Sequence, residues 1–479
     1  MTVSELLKQS EGKTLEFKRD LSSPRNILRT VVAFANTAGG NLLIGVENKT
    51  QKPVGITDPL EAEARFCNMV ADAVTPRVVP DVEIITVAGK TLLLVEVFLS
   101  SLRPHWLKSE GPEKGVYVRL GSTNRQADRE LIAELRRSVE GISFDEMPMP
   151  GLSVDDLDLD LARRSFAGER ELNEQALLTL KLLVQDQGQT VPSKGGMLLF
   201  GRKRTFHFPD CWVQCGRFTG TDKARIFDHI DIDEPLPQSV DSILLFLKKH
   251  AMRGADFSNV RRRDVWSIPL EPLREAVINA LVHADWSQRG GPVRVAFFDN
   301  RIEIENPGIL PPGITVEDMK QGVSKIRNPV IARVFRELKL VEQWGSGVPR
   351  IFRETAQNGF PEPSIIELGL RVRFIFPLIE TIEVNKSPQS GVESGVESGV
   401  ESPMAMNVLR FLTENPLSKS EIAKYLGKLK PTRYLNDLMA KLLRRGYVEY
   451  TIPEKPNSRL QKYRMTEKGR HVLQKRDEN

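Results

Sequence analysis

Residues 390–402 read SGVESGVESGVES. A four-residue repeat of Gly, Ser and Glu with one Val per unit buries too little apolar surface to offset the entropy of ordering it. With Lys386, Ser387 and Pro388 ahead of it, the stretch predicts a flexible linker over 386–402. A chain interrupted in this way does not fold as one globule. Its 479 residues divide at least into a long body and a tail at 403–479. Length agrees, since about 150 residues per domain implies roughly three domains.

Charge follows the same division. The tail holds 17 Lys and Arg against 8 Asp and Glu, while the whole chain is only +5. A basic tail on a mildly acidic body points to a polyanion partner, or else to a solvated basic surface. No run approaches the ~20 apolar residues that span a bilayer, so no membrane partner is expected. The N-terminus has no apolar signal core, and Cys67, Cys211 and Cys215 are too few for a disulfide framework. A cytoplasmic setting is expected.

A second boundary is expected near 138–160, where two prolines and several acids break any helical period. The divisions are 1–138, a connecting α/β region at 150–260, a domain at 261–380, the linker 386–402 and the tail 403–479. The first part alternates helical and strand patterns: helices at 22–38, 65–73 and 129–137, strands at 41–46, 82–87, 91–98 and 116–120. The fold class is α+β multidomain. The segment SKGGMLLFGRKR, 193–204, reads as a glycine turn, an apolar strand and a basic end.

Glu11 and Glu16 lie five apart in the segment EGKTLEFK, and Glu47 and Asn48 follow a strand end. Acids clustered at a strand end can hold a divalent cation and activate water for phosphodiester cleavage. The other reading makes Glu16 and Lys18 solvent-facing partners on one strand. EFK at 16–18, FANTAGGNLLIGV at 34–46 and RLGSTNRQA at 119–127 resemble the Schlafen-type AlbA-like domain. The resemblance implies a nucleic-acid-binding module, with phosphate contacts from Lys13, Lys18, Arg19, Arg119, Arg125 and Arg129. In the nuclease members three acids act. Two would be Glu11 and Glu16. The third falls on Asn48, with Glu47 adjacent.

Residues 272–286 read PLREAVINALVHADW. Glu275, Asn279 and His283 are four apart, so they line one helix face while apolar residues supply the others. Such a stripe either faces solvent or, when buried, needs partners. Glu and Asn there suit Mg²⁺ and an oriented water. A hairpin turns at Asp299-Asn300, NPG follows at 306–308, and Gly345-Ser346-Gly347 stands before a helix start. This order resembles the ATP-binding fold of gyrase, Hsp90, histidine kinases and MutL. It is closer to the divergent GHKL-like α/β sandwich found with Schlafen domains in transcriptional regulators. The resemblance makes Glu275 the candidate general base and Asn279 the Mg²⁺ ligand. ENPGILP at 305–311 becomes the adenine-side loop, including Gly308. Ser324, Arg327, Asn328 and Pro329 match a lid motif. The usual adenine-reading Asp is absent, and Asp299 or Asn306 stands in its place.

After the linker, helical patterns at 406–412, 421–426 and 433–445 precede strands at 447–452 and 460–465. This is the winged helix-turn-helix order, and the tail resembles winged-helix transcription regulators. The resemblance places Lys428, Lys430, Thr432, Arg433, Tyr434 and Asn436 at the major groove. Arg459 and Lys462 would lie on the wing. The leading functional expectation is an ATP- and Mg²⁺-binding, DNA-binding transcriptional regulator whose nucleotide state controls engagement of double-stranded DNA. A homodimer or higher homo-oligomer is expected, with at most weak ATP turnover. A second reading is an ATP-gated, metal-dependent nuclease or ribonuclease acting in phage defence, with RNA as a partner. A third is a dimerising scaffold. No GxxxxGK[ST] phosphate loop occurs, which excludes a helicase motor of that type.

Overall fold

The computed structural model describes residues 2–251, 253–256, 263–341, 347–382, 408–413, 415–425, 435, 438–439, 442–443, 445–454 and 461–477. The chain forms two compact units, Met1–Asn385 and Lys386–Asn479.

The first unit begins with a four-stranded sheet in the order Leu15–Lys18, Gly40–Ile44, Lys90–Val97, Asp81–Val87. Its first pair is parallel, which needs a crossover. The helix Pro24–Asn36 provides it. Pro24 starts the helix at a position where its missing N–H costs nothing, and Ile27, Val31, Val32 and Phe34 pack onto the sheet. The helix expected at 65–73 begins earlier, at Pro59, because Asp58 caps it by accepting from the Glu61 amide. The hairpin expected around 88–90 is present, with Ala88 and Gly89 both at positive φ.

The second sheet has six strands in the order Ile226–Ile232, Val213–Phe218, Val293–Phe297, Arg301–Pro307, Arg371–Pro377, Ser364–Glu367. It draws two strands from 150–260 and four from 261–380. The large core cluster is correspondingly continuous across both stretches. Along Arg301–Pro307 the pleat sends Ile302, Ile304 and Asn306 to one face and Glu303 and Glu305 to the other. The second face carries an ion-pair lattice: Arg301 meets Glu303, and Arg373 bridges Glu303 and Glu305. Burial raises the Glu305 carboxyl, but Arg373 and Arg371 together hold it below the ordinary glutamate range.

The segment 193–204 is a correction. It folds as a helix, Lys194–Phe200, and a short turn of helix, Arg204–His207. Ser193 caps the first by accepting from the Gly196 amide. A short apolar run such as MLLF does not distinguish strand from helix by period. The glycines are packing sites. A Cβ on Gly195 would lie 2.7 Å from the Val330 side chain, and one on Gly196 would meet the Leu182 carbonyl.

The stretch near 138–160 contains two single-turn 3₁₀ helices, Phe144–Glu146 and Val154–Asp156. Buried Asp145 accepts from the amides of Val330 and Ile331 at 2.7 and 3.0 Å, so it caps the helix Pro329–Glu337 from a distance. In the second unit, helix Lys419–Tyr425, strands Val448–Tyr450 and Tyr463–Met465, and helix Glu467–Asp477 surround one apolar cluster. The last helix was not expected from sequence.

Candidate functional site

The helix Leu270–His283 packs Leu273, Ala276, Val277, Ala280 and Leu281 into the core. Its remaining stripe, Glu275, Asn279 and His283, faces a cavity of about 320 Å³. The stripe is therefore neither solvent-facing nor dry core. Asn306 and Phe374 enter from the pocket face of the six-stranded sheet, and Leu310, Pro311 and Ile314 come from the loop after Pro307. The volume lies within the range of small-molecule sites, and the lining follows their pattern: apolar walls with a few convergent polar groups.

Glu275 is buried. Its Oε2 accepts from Arg350 Nη2 at 2.6 Å, and Asn279 Nδ2 lies 3.5 Å from Oε1. Arg350 belongs to the helix Gly347–Gln357, which packs along the stripe helix. The approach is close enough that a Cβ on Gly347 would meet Glu275 Oε1. Gly347 lines the cavity. Gly345 and Ser346 lie outside the described residues. Arg350, Lys325 and Arg336 also line the cavity, and sequence reasoning did not select them. For the first two a signal was present, since Arg350 follows the glycine motif by three residues and Lys325 adjoins Ser324.

Burial, with the Arg327 charge second, pushes the His283 imidazole down to about 4, so it is neutral at pH 7. Four expected ligand residues, Asp299, Asn328, Arg327 and Gly308, are absent from the cavity lining. Asp299 sits beyond the opposite end of the strand from Asn306, and the five steps from Arg301 to Asn306 alone span about 16 Å at ~3.3 Å each. There Asp299 binds Arg217 at 2.6 Å and accepts from the Gly220 amide. Asn328 donates to the carbonyls of Val282 and Ala284, both at 2.7 Å, and so terminates the stripe helix. Arg327 donates to the carbonyls of His283 and Ile309 and pairs with Glu134 at 3.0 Å. Gly308, at φ +100°, makes room for that guanidinium, which a Cβ would strike. Asn328, Arg327 and Gly308 support elements of the cavity without lining it.

The loop Gly308–Ile314 is shared. Its inner side lines the cavity, and its outer side meets the four-stranded sheet's domain. Gly313 N–H donates to the Thr37 carbonyl at 2.7 Å. Glu367 accepts from the Leu310 amide at 2.8 Å and pairs with buried Lys13 at 2.7 Å. Ile309 joins the cluster of Val116, Val118, Leu131 and Leu135. Lys13 is therefore an interior ion pair, not a phosphate contact.

Arg119 is corrected likewise. It is buried and donates to the Gly12 carbonyl at 2.9 Å, to Asn124 at 3.0 Å and to Glu16. Glu16 also pairs with Lys18. Glu11 accepts from the Phe17 amide, and Glu47 pairs with Arg19 at 2.9 Å. Among the described residues no group of three His, Cys, Asp or Glu is placed to hold a metal. Each of the acids expected of a nuclease centre thus has a basic or backbone partner. Arg19 and Arg125 are exposed. In the tail, Lys462 lies on the hairpin side, 3.4 Å from Glu421. Lys428, Lys430, Thr432, Arg433, Tyr434, Asn436 and Arg459 lie outside the described residues. Among the described residues no helix is long and apolar enough to cross a membrane.

Three family models match successive parts of the chain. Schlafen, AlbA_2 covers 11–128. "Putative ATP-dependent DNA helicase recG C-terminal" covers 290–376, which takes in Asn306, the shared loop and Gly347 but begins after the stripe helix. The C-terminal domain of Filamentation induced by cAMP protein Fic-like covers 404–466. A crystal structure of the DIP2311 protein from Corynebacterium diphtheriae is 19% identical. The match covers 97% of this chain and 98% of that one, with a TM-score of 0.40. The N-terminal domain of a RecG-related protein from Nitrosomonas europaea, solved by NMR, is 29% identical. That match covers 26% of this chain and 94% of that one, with a TM-score of 0.23. No curated protein matches. The chain carries a Schlafen AlbA_2 N-terminal domain, a RecG-like HATPase_c_4 domain and a Fic-like C-terminal domain.

Proposed function

We propose that this chain is an ATP-binding, DNA-binding transcriptional regulator in which the nucleotide state controls DNA engagement. The observation that carries the reading is the convergence of Glu275 and Asn279 with Asn306 on one cavity with largely apolar walls. The HATPase_c_4 and AlbA_2 matches support ATP binding and nucleic-acid binding in that order. Mg²⁺ keeps most of its waters and takes one or two protein oxygens plus phosphate oxygens. Asn279 fits that modest demand, with Glu275 beside it as the candidate base, and the ion would neutralise the phosphate charge. Asn306 offers an amide for the exocyclic groups of a purine, in place of the missing carboxylate. Lys325, Arg336 and Arg350 supply positive charge at the same cavity.

DNA engagement is assigned to the basic tail, read as a winged helix, with the AlbA_2 domain as a second nucleic-acid surface. The shared loop Gly308–Ile314 gives the cavity a physical route to the AlbA_2 domain through Thr37 and Lys13. The nuclease reading lacks an assembled carboxylate set among the described residues. Calorimetry with ATP and Mg²⁺ tests the proposal. The intact chain is expected to bind, and Asn279→Ala to lose binding by about tenfold or more. An intact chain that binds no nucleotide would reduce the cavity to a packing defect.

A further inference from the structure

The cavity contains a charge arrangement that the motifs do not explain. Arg350 lines the cavity, yet its guanidinium is engaged with Glu275 at 2.6 Å, and both side chains are largely buried, 17% and 7% exposed. Glu354 lies further off at 3.8 Å from Nε. A guanidinium has five donors in a fixed fork and matches a phosphate as well as it matches a carboxylate. A polyphosphate entering beside Glu275 brings like charge against a buried carboxylate, which is costly unless a cation stands between them. Arg350 is a cation already in that position.

We infer that Arg350 is the phosphate-recognising residue of this cavity, and that it exchanges Glu275 for a phosphate oxygen when the nucleotide binds. The inference rests on the nucleotide reading above. In the free protein Glu275 is held as an ion-pair partner, and it is released to face water only once a phosphate has claimed the arginine. The ligand class is thereby narrowed to a nucleoside polyphosphate, since a nucleoside has nothing to offer in exchange. Two variants of one ion pair must then act in opposite directions. Removing Arg350 removes the phosphate partner. Removing the Glu275 charge removes the carboxylate that lies 2.6 Å from the guanidinium, and with it that competition.

The test is calorimetry on the full chain, with Mg-ATP and with adenosine as probes. Arg350→Gln is expected to weaken Mg-ATP by about tenfold or more, the scale of a hydrogen bond to a charged group. Arg350→Lys, which keeps a point charge without the fork, is expected to fall between. Glu275→Gln is expected to tighten Mg-ATP. Adenosine is expected to treat all four proteins alike. An Arg350→Gln protein that binds Mg-ATP like the wild type would overturn the inference while leaving the nucleotide reading intact. Equal losses for ATP and adenosine would also overturn it, by reducing Arg350 to a structural role. If Arg350→Gln does not fold, Glu275→Gln still decides, because an affinity that falls or stays level contradicts the exchange. A wild type that binds neither probe removes the nucleotide reading and this inference together.

Discussion

His283 illustrates how the fold sets the chemistry of a single side chain. Its folded pKa is about 4, against about 6.5 for an unperturbed imidazole. A histidine depressed in this way favours folding in its neutral form. Its contribution is fully present above about pH 6.5 and is lost as pH falls through 4. Denaturant titrations of the wild type between pH 7 and 4 should therefore show a decline that His283→Gln makes shallower. Equal slopes in the two proteins would refute the assignment. Gly347 provides a second check. An added methyl would strike the Glu275 carboxylate and displace it, so Gly347→Ala should weaken nucleotide binding while leaving the melting temperature nearly unchanged, read from the calorimetric and melting curves. The stripe of Glu275, Asn279 and His283 was legible in the sequence because the helical period is local. The burial of Lys13 and Arg119 was not, because Glu367 and Glu16, which neutralise them, are 354 and 103 residues away. Asp299 was misplaced because it stands close to Asn306 in sequence, whereas a strand turns that separation into length.

At the scale of elements, the strands and hairpins of the first domain were legible from alternation and turn residues. The helix Lys194–Phe200 was not. Its four-residue apolar run carries no period, and its glycines recorded close packing rather than a turn. The six-stranded sheet was recognisable only in part, since its edge pair, Ile226–Ile232 and Val213–Phe218, joins the remainder through a parallel contact with Val293–Phe297. No local pattern announces such a contact. The loop Gly308–Ile314 makes an element-level prediction. Lys13→Ala leaves Glu367 buried without its cation, which should cost about 3–5 kcal/mol. The same carboxylate holds the Leu310 amide, so nucleotide affinity should fall too, although Lys13 is not among the residues lining the cavity. A Lys13→Ala protein with wild-type melting and wild-type affinity would show that the loop is held by its other contacts alone.

At the scale of the molecule, the chain divides into two compact units at 385/386. Fragment 1–385 is expected to bind Mg-ATP with the affinity of the full chain, measured by calorimetry. The full chain should retard duplex DNA with a steep salt dependence, because 17 basic residues in the tail act through phosphate contacts and counterion release. Fragment 1–385 should lose most of that slope. Retardation with an unchanged slope would move the DNA surface to the AlbA_2 domain.

The shared loop also bears on how such a protein can be taken apart. A fragment beginning at 139 would keep every residue that lines the cavity, but it would strip Ile309 of its apolar neighbours and Glu367 of its cation. The wall of the pocket is in this sense on loan from the domain that precedes it. A chimera that swaps the first 138 residues for those of another protein inherits a cavity only if the donor also supplies a carbonyl where Thr37 stands and an ammonium where Lys13 stands. The natural seam for shuffling parts of this chain is therefore the one after 385, and not the earlier one.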